Sequence, residues 1–324
     1  MRRVRHTAGT LTLQQVAAPE PGPGQLLVRT EAIGVTLPAV RALGASAAPP
    51  GHRTGPGGES APAVPQPVAG EIAGTVEAAG PDTAGYRPGD RVTGLCFADA
   101  YAELALLHTA MASPVPDHAT ARDAVALVRG GLVALGALEA ARPQPGETAL
   151  ITAAAGGIGH LALQLARLRG GAARVVAAVG DAAAKGAFVR SLGADTVLGY
   201  DEPDWAAAVG GPVSYVLDAA GGERLTPAVH ALADGGRLIA YSSGGGTLAA
   251  SDLLAGKTVT GFQIARVARN TPHRYAAWRD ELWALHRAGD LRPAVAAAFP
   301  LEDAAEAHAL LAGRGNLGKV LLLP

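Results

Sequence analysis

The 324-residue chain predicts an α/β protein of two domains, one of them a parallel sheet covered by helices on both faces. Three observations lead there. Short strand-like runs crowd the first hundred or so residues. From about residue 120 to 260 the pattern alternates strand with helix. A glycine-rich turn, residues 154–159, joins the first buried strand of that alternating part to its first helix.

The β-rich part comprises LTLQQV (11–16), QLLVRTEAIGV (25–35), EIAGTVEAAG (71–80), RVTGLCF (91–97) and YAELALL (101–107), separated by Pro, Gly and Asp. Residues 44–67 hold eleven Gly or Pro among 24, which excludes a helix or an inner strand. That segment reads as a surface loop and as a candidate lid or pocket wall. In the alternating part, 121–141 has helical periodicity and ETALIT (147–152) is a short buried strand. HLALQLARLRG (160–170) follows as a helix, with leucines at 161, 165 and 168. ARVVAAVG, TVLGY, VSYVLDAAGG and GRLIAYSSGG continue as strands, with helices over AKGAFVRSLG, capped by Gly193, and over 223–233. Beyond 260 come helices 275–288 and 302–312 and a closing strand, GKVLLL.

Composition narrows the function classes. A net charge of −1, with acidic and basic residues interspersed, argues against a nucleic-acid surface. No uninterrupted apolar run of about 20 residues is present, so no membrane partner is expected. The basic start MRRVRHTAGT lacks a following apolar stretch and does not read as a secretory signal. Cys96 is the single cysteine, so neither an intrachain disulfide nor a thiolate zinc lobe can form, and a cytoplasmic protein is expected. His108, His118 and His160 have no partners at metal-ligand spacing and read as surface or turn residues.

The glycine turn is the strongest chemical signal. Ala154–Gly159 is GxGxxG with alanine at the first position. Gly156 lets backbone approach a pyrophosphate, and Gly159 lets the helix press on the sheet, whose amides then face the anion. At the tip of the second strand the signals conflict. Asp181 suits a ribose 2′-hydroxyl and Lys185 suits a 2′-phosphate, so NAD and NADP both stand on these residues alone.

Along nearly its whole length the chain resembles the zinc-independent quinone oxidoreductase branch of the medium-chain dehydrogenase/reductase superfamily. The resemblance rests on GTVEAAGPDTAGYRPGDRVTGL (74–95), YAE (101–103), QPGETALITAAAGGIGHLALQLAR (144–167), LGAD (192–195), YVLDAAGGERL (215–225), LADGGRLIAYSSGGG (232–246) and AHALLAGRGNLGKVLLLP (307–324). It implies a Rossmann domain, 119–261, and a β-rich GroES-like catalytic domain formed by both termini, 1–118 and 262–324. It also implies NADPH as hydride donor and a homodimer. Carried over, Gly156, Gly157, Ile158 and Gly159 line the pyrophosphate, Lys185 and Tyr200 contact the 2′-phosphate, and Arg314 also reaches the cofactor. Zinc is not expected, because the segment that often reads GHE in zinc-dependent relatives is Ala69-Gly70-Glu71. Glu71 reads as structural.

The chain departs from that family pattern at two places. Thr36 and Ala39 stand in G34-V35-T36-L37-P38-A39, where relatives usually carry Asn and Asp. Arg129 and Val133 stand in ALVRGGLVALGAL (126–138), where relatives have Pro-like and Thr residues. Loop 44–67 lacks tyrosine and offers His52 and Arg53 as its larger polar groups, with Glu59 and Gln66 beside them. Thr36 is thereby a candidate proton donor or a packed hydroxyl, and Arg129 a substrate-oxygen clamp or a surface charge. The expected function is NADPH-dependent reduction of a quinone or an α,β-unsaturated carbonyl compound. The alternatives are a biosynthetic tailoring enzyme running a cyclisation or redox-neutral step, and a catalytically silent NADPH-binding protein.

Overall fold

The computed structural model describes residues 1–46, 65–83, 85–241 and 245–324. Most of the expected lid, with His52, Arg53 and Glu59, lies outside the described residues. The chain folds into two compact units. The first comprises Met1–Val125, Val295–Gly315 and Val320–Pro324; the second comprises Ala126–Ala294 and Asn316–Lys319.

In the first unit, strand Gln25–Gly34 pairs antiparallel with Gly70–Ala79, Leu104–His108 and Lys319–Leu323. Gly70–Ala79 pairs onward to Arg91–Cys96. A three-stranded sheet adds Arg2–Thr7, Thr10–Gln15 and Gln66–Pro67. Leu26, Val28, Ile33, Ile72, Leu107 and Leu322 close the core, each withdrawn from water and worth about 1.5–3 kcal/mol. Inside it Tyr101 Oη lies 2.9 Å from His308 Nε2, the rings edge to face. Burial is the main reason that His308 is pushed down to about 4.

Among the described residues the second unit holds six parallel strands. In chain order they are Thr148–Thr152, Arg174–Val179, Thr196–Gly199, Val213–Asp218, Leu232–Ala240 and Thr258–Gly261. Their spatial order is third, second, first, fourth, fifth, sixth, the order of a dinucleotide-binding doubly wound sheet. Leu150, Ile151, Val176, Val216 and Leu238 are essentially inaccessible, as expected for strands covered on both faces. Helices Gly159–Leu168 and Ala182–Ser191 follow the first and second strands. The expected helix over 223–233 shrinks to Leu225–His230, because the next strand begins at Leu232.

The sequence-based domain boundary at 262 and the division at 294 differ by the helices Ile264–Asn270 and Pro272–Ala288. Glycines on helix Ala121–Ala141 account for the difference. A Cβ on Gly131 would lie 2.9 Å from Leu282 Cδ1, and one on Gly136 would lie 2.3 Å from Phe262 Cζ and 2.9 Å from Trp278 Cζ3. The gaps left by missing side chains are thus filled by residues 262–282. Helix Ala121–Ala141 is long and apolar enough to cross a bilayer, but 83% of its most apolar window is buried inside the protein, as in a core helix.

Candidate active site

The first parallel strand ends at Thr152, and the chain turns sharply. Ala153 takes a left-handed φ of 48°, a conformation costly for a residue with a Cβ, and its N–H donates to Tyr200 Oη at 2.7 Å. Three carbonyls of the bend are bonded within the protein. Ala153 O accepts from Gly156 N at 3.0 Å, and Ala155 O accepts from Gly318 N at 2.8 Å. Gly156 O receives His160 N at 3.2 Å and His160 Nδ1 at 2.9 Å. Helix Gly159–Leu168 then starts with amides that lack an intrahelical acceptor. Among the described residues the N–H groups of Ile158 and Gly159 have no backbone acceptor, whereas that of Gly157 faces Gly318 O across a parallel bridge of Gly156 with Gly318. Bonded carbonyls beside helix-start amides that lack an acceptor are the polarity an anion requires.

Glycine is obligatory at 159. A Cβ there would sit 2.2 Å from Ala153 O and 2.8 Å from Ala154 Cα, both backbone atoms. The turn's inner face is clamped from behind. His160, wholly buried, accepts the Ala294 amide at Nε2 (2.9 Å), which places its proton on Nδ1. One helical turn on, Gln164 exchanges bonds with the Arg292 backbone, Nε2 to O at 3.0 Å and N to Oε1 at 2.9 Å. Lys319, also buried, lies behind Gly157: a Cβ there would be 3.3 Å from Lys319 Cδ. Desolvation lowers His160 to about 4, opposed by its bond to Gly156 and aided by the Lys319 charge.

The other expected cofactor residues fall into place unevenly. Tyr200 follows the third strand, its N–H on Val179 O at 2.9 Å, which puts it at the tip of the second strand. Its hydroxyl is held by the turn through Ala153 and is pushed upward in pKa, chiefly by burial. Trp205 meets the ring edge-on, and the Arg224 guanidinium lies 4.6 Å from the ring centroid. Asp181 caps helix Ala182–Ser191 by accepting the Ala184 N–H at 2.9 Å, and Lys185 stands in that helix's first turn. Gly199, beside Tyr200, would place a Cβ 3.3 Å from Ala182 Cβ, so Tyr200 and this helix start are neighbours. Behind them, buried Asp218 accepts Thr152 Oγ1 at 2.6 Å and Gly221 N at 3.1 Å.

Thr36 and Arg314 belong to the first unit, whereas Arg129 belongs to the second. Thr36 is half-buried at the start of helix Leu37–Ser46, where its Oγ1 accepts the Ala39 N–H at 3.4 Å. Arg314 is exposed, with a left-handed φ of 56°, just past helix Ala304–Ala312. Arg129 is half-buried midway along helix Ala121–Ala141. Sequence reasoning treated His160 as a surface or turn residue; it is buried and pins the turn. The i, i+4 spacing of His160 and Gln164 among the leucines and alanines of this helix was the available signal. His108 is exposed and caps a short helical turn, accepting Ala110 N at 3.1 Å. Among the described residues no group of three His, Cys, Asp or Glu side chains could hold a metal ion.

Residues 22–117 match the family model described as alcohol dehydrogenase GroES-like domain, and residues 192–322 match the one described as zinc-binding dehydrogenase. A quinone oxidoreductase of Pseudomonas aeruginosa is 30% identical over 320 residues, spanning 94% of this chain and 93% of that protein. The chain belongs to the quinone oxidoreductase branch of the medium-chain dehydrogenase/reductase superfamily. A 2-haloacrylate reductase of Burkholderia sp is likewise 30% identical, over 96% of this chain and 94% of its own length. Among solved structures, Escherichia coli quinone oxidoreductase complexed with NADPH matches over the whole of both chains, with a TM-score of 0.85 and 25% identity. A mycobacterial protein complexed with NADPH matches equally fully, with a TM-score of 0.85 and 29% identity. The α/β class, with a GroES-like part and a Rossmann sheet, is therefore that of this family.

Proposed function

We propose that the chain is an NADPH-dependent oxidoreductase that delivers hydride to a quinone or an α,β-unsaturated carbonyl compound, with no zinc ion taking part. The observation that carries this reading is the polarity of the 153–159 turn: the carbonyls of Ala153, Ala155 and Gly156 bonded within the protein, the amides of Ile158 and Gly159 left without an acceptor, and a helix–strand approach that only Gly159 permits. Two solved relatives bind NADPH, and the relatives' names cover both a quinone and an activated alkene as substrate.

NADPH, when bound, supplies the hydride. The chain's own residues do the rest. Amides of Gly157, Ile158 and Gly159 line the pyrophosphate, Lys185 pairs with the 2′-phosphate, and Arg314 also reaches the cofactor. The Thr36 oxygen already accepts from Ala39, so its hydrogen remains for donation to the oxygen on which charge builds during reduction. Arg129 clamps a substrate oxygen. The single cysteine and the Ala69-Gly70-Glu71 segment in place of GHE support a zinc-free reaction.

The test follows the near-ultraviolet absorbance of reduced nicotinamide with a panel of enones and quinones. Consumption of NADPH with matching product supports the proposal. Product formed with the cofactor unconsumed indicates a redox-neutral tailoring enzyme instead, and tight binding without turnover of any compound indicates a silent binding protein.

A further inference from the structure

A 2′-phosphate carries about −1.5 to −2 charges near neutral pH, more than one lysine neutralises. Tyr200, expected as the second contact, is occupied elsewhere: its hydroxyl is buried, receives the Ala153 amide and shares a further hydrogen bond with the Thr152 side chain. Its ring, however, carries a cation. The Arg224 guanidinium stacks 4.6 Å from the ring centroid, and the ring is itself fixed by the edge of Trp205 and by the Ala153 bond. Stacking engages the face of a guanidinium and leaves its in-plane N–H fork for an oxyanion. Arg224 Nε has no hydrogen-bond partner among the described residues although it is withdrawn from water, so the fork is not fully used within the protein.

Position agrees with chemistry. Tyr200 sits at the tip of the second parallel strand, where a doubly wound sheet reads the ribose 2′ position. The start of helix Ala182–Ser191, with Lys185 in its first turn, is adjacent through Gly199 and Ala182. Asp181, the group that would repel a phosphate there, is directed onto its own helix as a cap.

We infer that Arg224, held on the face of Tyr200, is the second cation of the 2′-phosphate subsite and a determinant of NADP over NAD. Tyr200 acts on it as a positioning residue through its ring and not through its hydroxyl. This rests on the NADPH reading above, and the experiment separates the two. Calorimetric titration compares adenosine 2′,5′-bisphosphate with 5′-AMP, which differ only in the 2′-phosphate, and needs no turnover.

Wild type is expected to favour the bisphosphate by about 100-fold or more, from two charge-assisted contacts. Arg224→Gln is expected to cut that preference by about 10- to 100-fold while leaving 5′-AMP affinity unchanged. Tyr200→Phe keeps the ring and is expected to keep the preference; Tyr200→Leu removes the platform and is expected to lose part of it. An unchanged preference in Arg224→Gln overturns the assignment of Arg224 alone. Loss of preference in Tyr200→Phe returns the contact to the hydroxyl and also overturns it. Equal affinity of wild type for the two nucleotides overturns the NADPH reading and this inference together. A fall in affinity for both nucleotides in Arg224→Gln marks a merely structural arginine and overturns the specificity role.

Discussion

His160 makes the second unit acid-labile by an amount that can be worked from its environment. Its Nε2 accepts the Ala294 amide while Nδ1 donates to Gly156 O, both at 2.9 Å, so only the neutral ring fits. Protonation would set an N–H against the Ala294 N–H in a site closed to solvent. The folded value is lowered to about 4 from 6.5, mainly by burial, with the Lys319 charge adding and the Gly156 bond opposing. The unfolded chain therefore takes up the proton first. The stabilisation is complete above about pH 6.5 and is lost as pH falls towards about 4. At about 1.4 kcal/mol per unit the whole loss is on the order of 3 kcal/mol, and roughly 2 kcal/mol of it is gone by about pH 5.

The chain supplies its own reporter. Its three tryptophans, Trp205, Trp278 and Trp283, all lie in the second unit, so urea unfolding followed by tryptophan emission reads the unit that contains His160. His160→Gln has no proton to gain. Asp218, whose pKa burial raises, titrates in both proteins and cancels in the difference. Wild-type stability minus variant stability is expected to fall by roughly 2 kcal/mol between about pH 7 and pH 5. Parallel pH profiles for the two proteins would refute the buried neutral ring and its role behind the turn.

Three further outcomes follow from the same geometry. Gly159→Ala drives a Cβ to 2.2 Å from Ala153 O and should cost about 1–3 kcal/mol in urea unfolding, with NADPH affinity down more than about 10-fold by calorimetry; wild-type affinity would disprove the anion turn. Asp181→Ser keeps a cap on the Ala184 N–H, so stability should hold, whereas Asp181→Ala should lose about 1 kcal/mol. NADH affinity should be the same in both Asp181 variants, and a drop would restore Asp181 as a ribose ligand. Cys96, 2% exposed and pushed up to about 12 by burial, should resist thiol reagents in the native protein and titrate as one thiol after unfolding; fast native labelling would contradict its burial.

The parallel sheet was legible because both of its faces are covered, which leaves uninterrupted apolar strands between well-marked helices. The turn was legible because backbone geometry demands glycine at particular places. Other elements were hidden by their side chains. Strand Arg2–Thr7 lies in the basic start of the chain, whose charges mask its pattern, yet Val4 and His6 face inward while Arg2 pairs with Glu103 and Arg5 with Asp99 at 2.8 and 2.6 Å. Helix Leu37–Ser46 was obscured by its junction with a Gly- and Pro-rich segment. His160 was invisible as a functional residue because its partners, Gly156 O and Ala294 N, are backbone atoms, one of them more than a hundred residues away.

That contrast explains why the cofactor half of the site is easier to read than the substrate half. A dinucleotide is held largely by backbone amides and a few fixed charges, and the backbone is constrained by residues whose absence of side chain is itself the signal. Arg224 shows where even this breaks down: nothing in the run GGERL distinguishes a charge stacked on Tyr200 from one in solvent until the fold brings residues 200 and 224 within 4.6 Å. In the reading proposed above, substrate choice depends on side chains such as Thr36 and Arg129, and no backbone constraint marks such positions. Tyr200 stands on the boundary, with a hydroxyl committed to the turn and a ring that carries a charge. The same residue type can therefore satisfy a family pattern while the work of recognition moves to its neighbour.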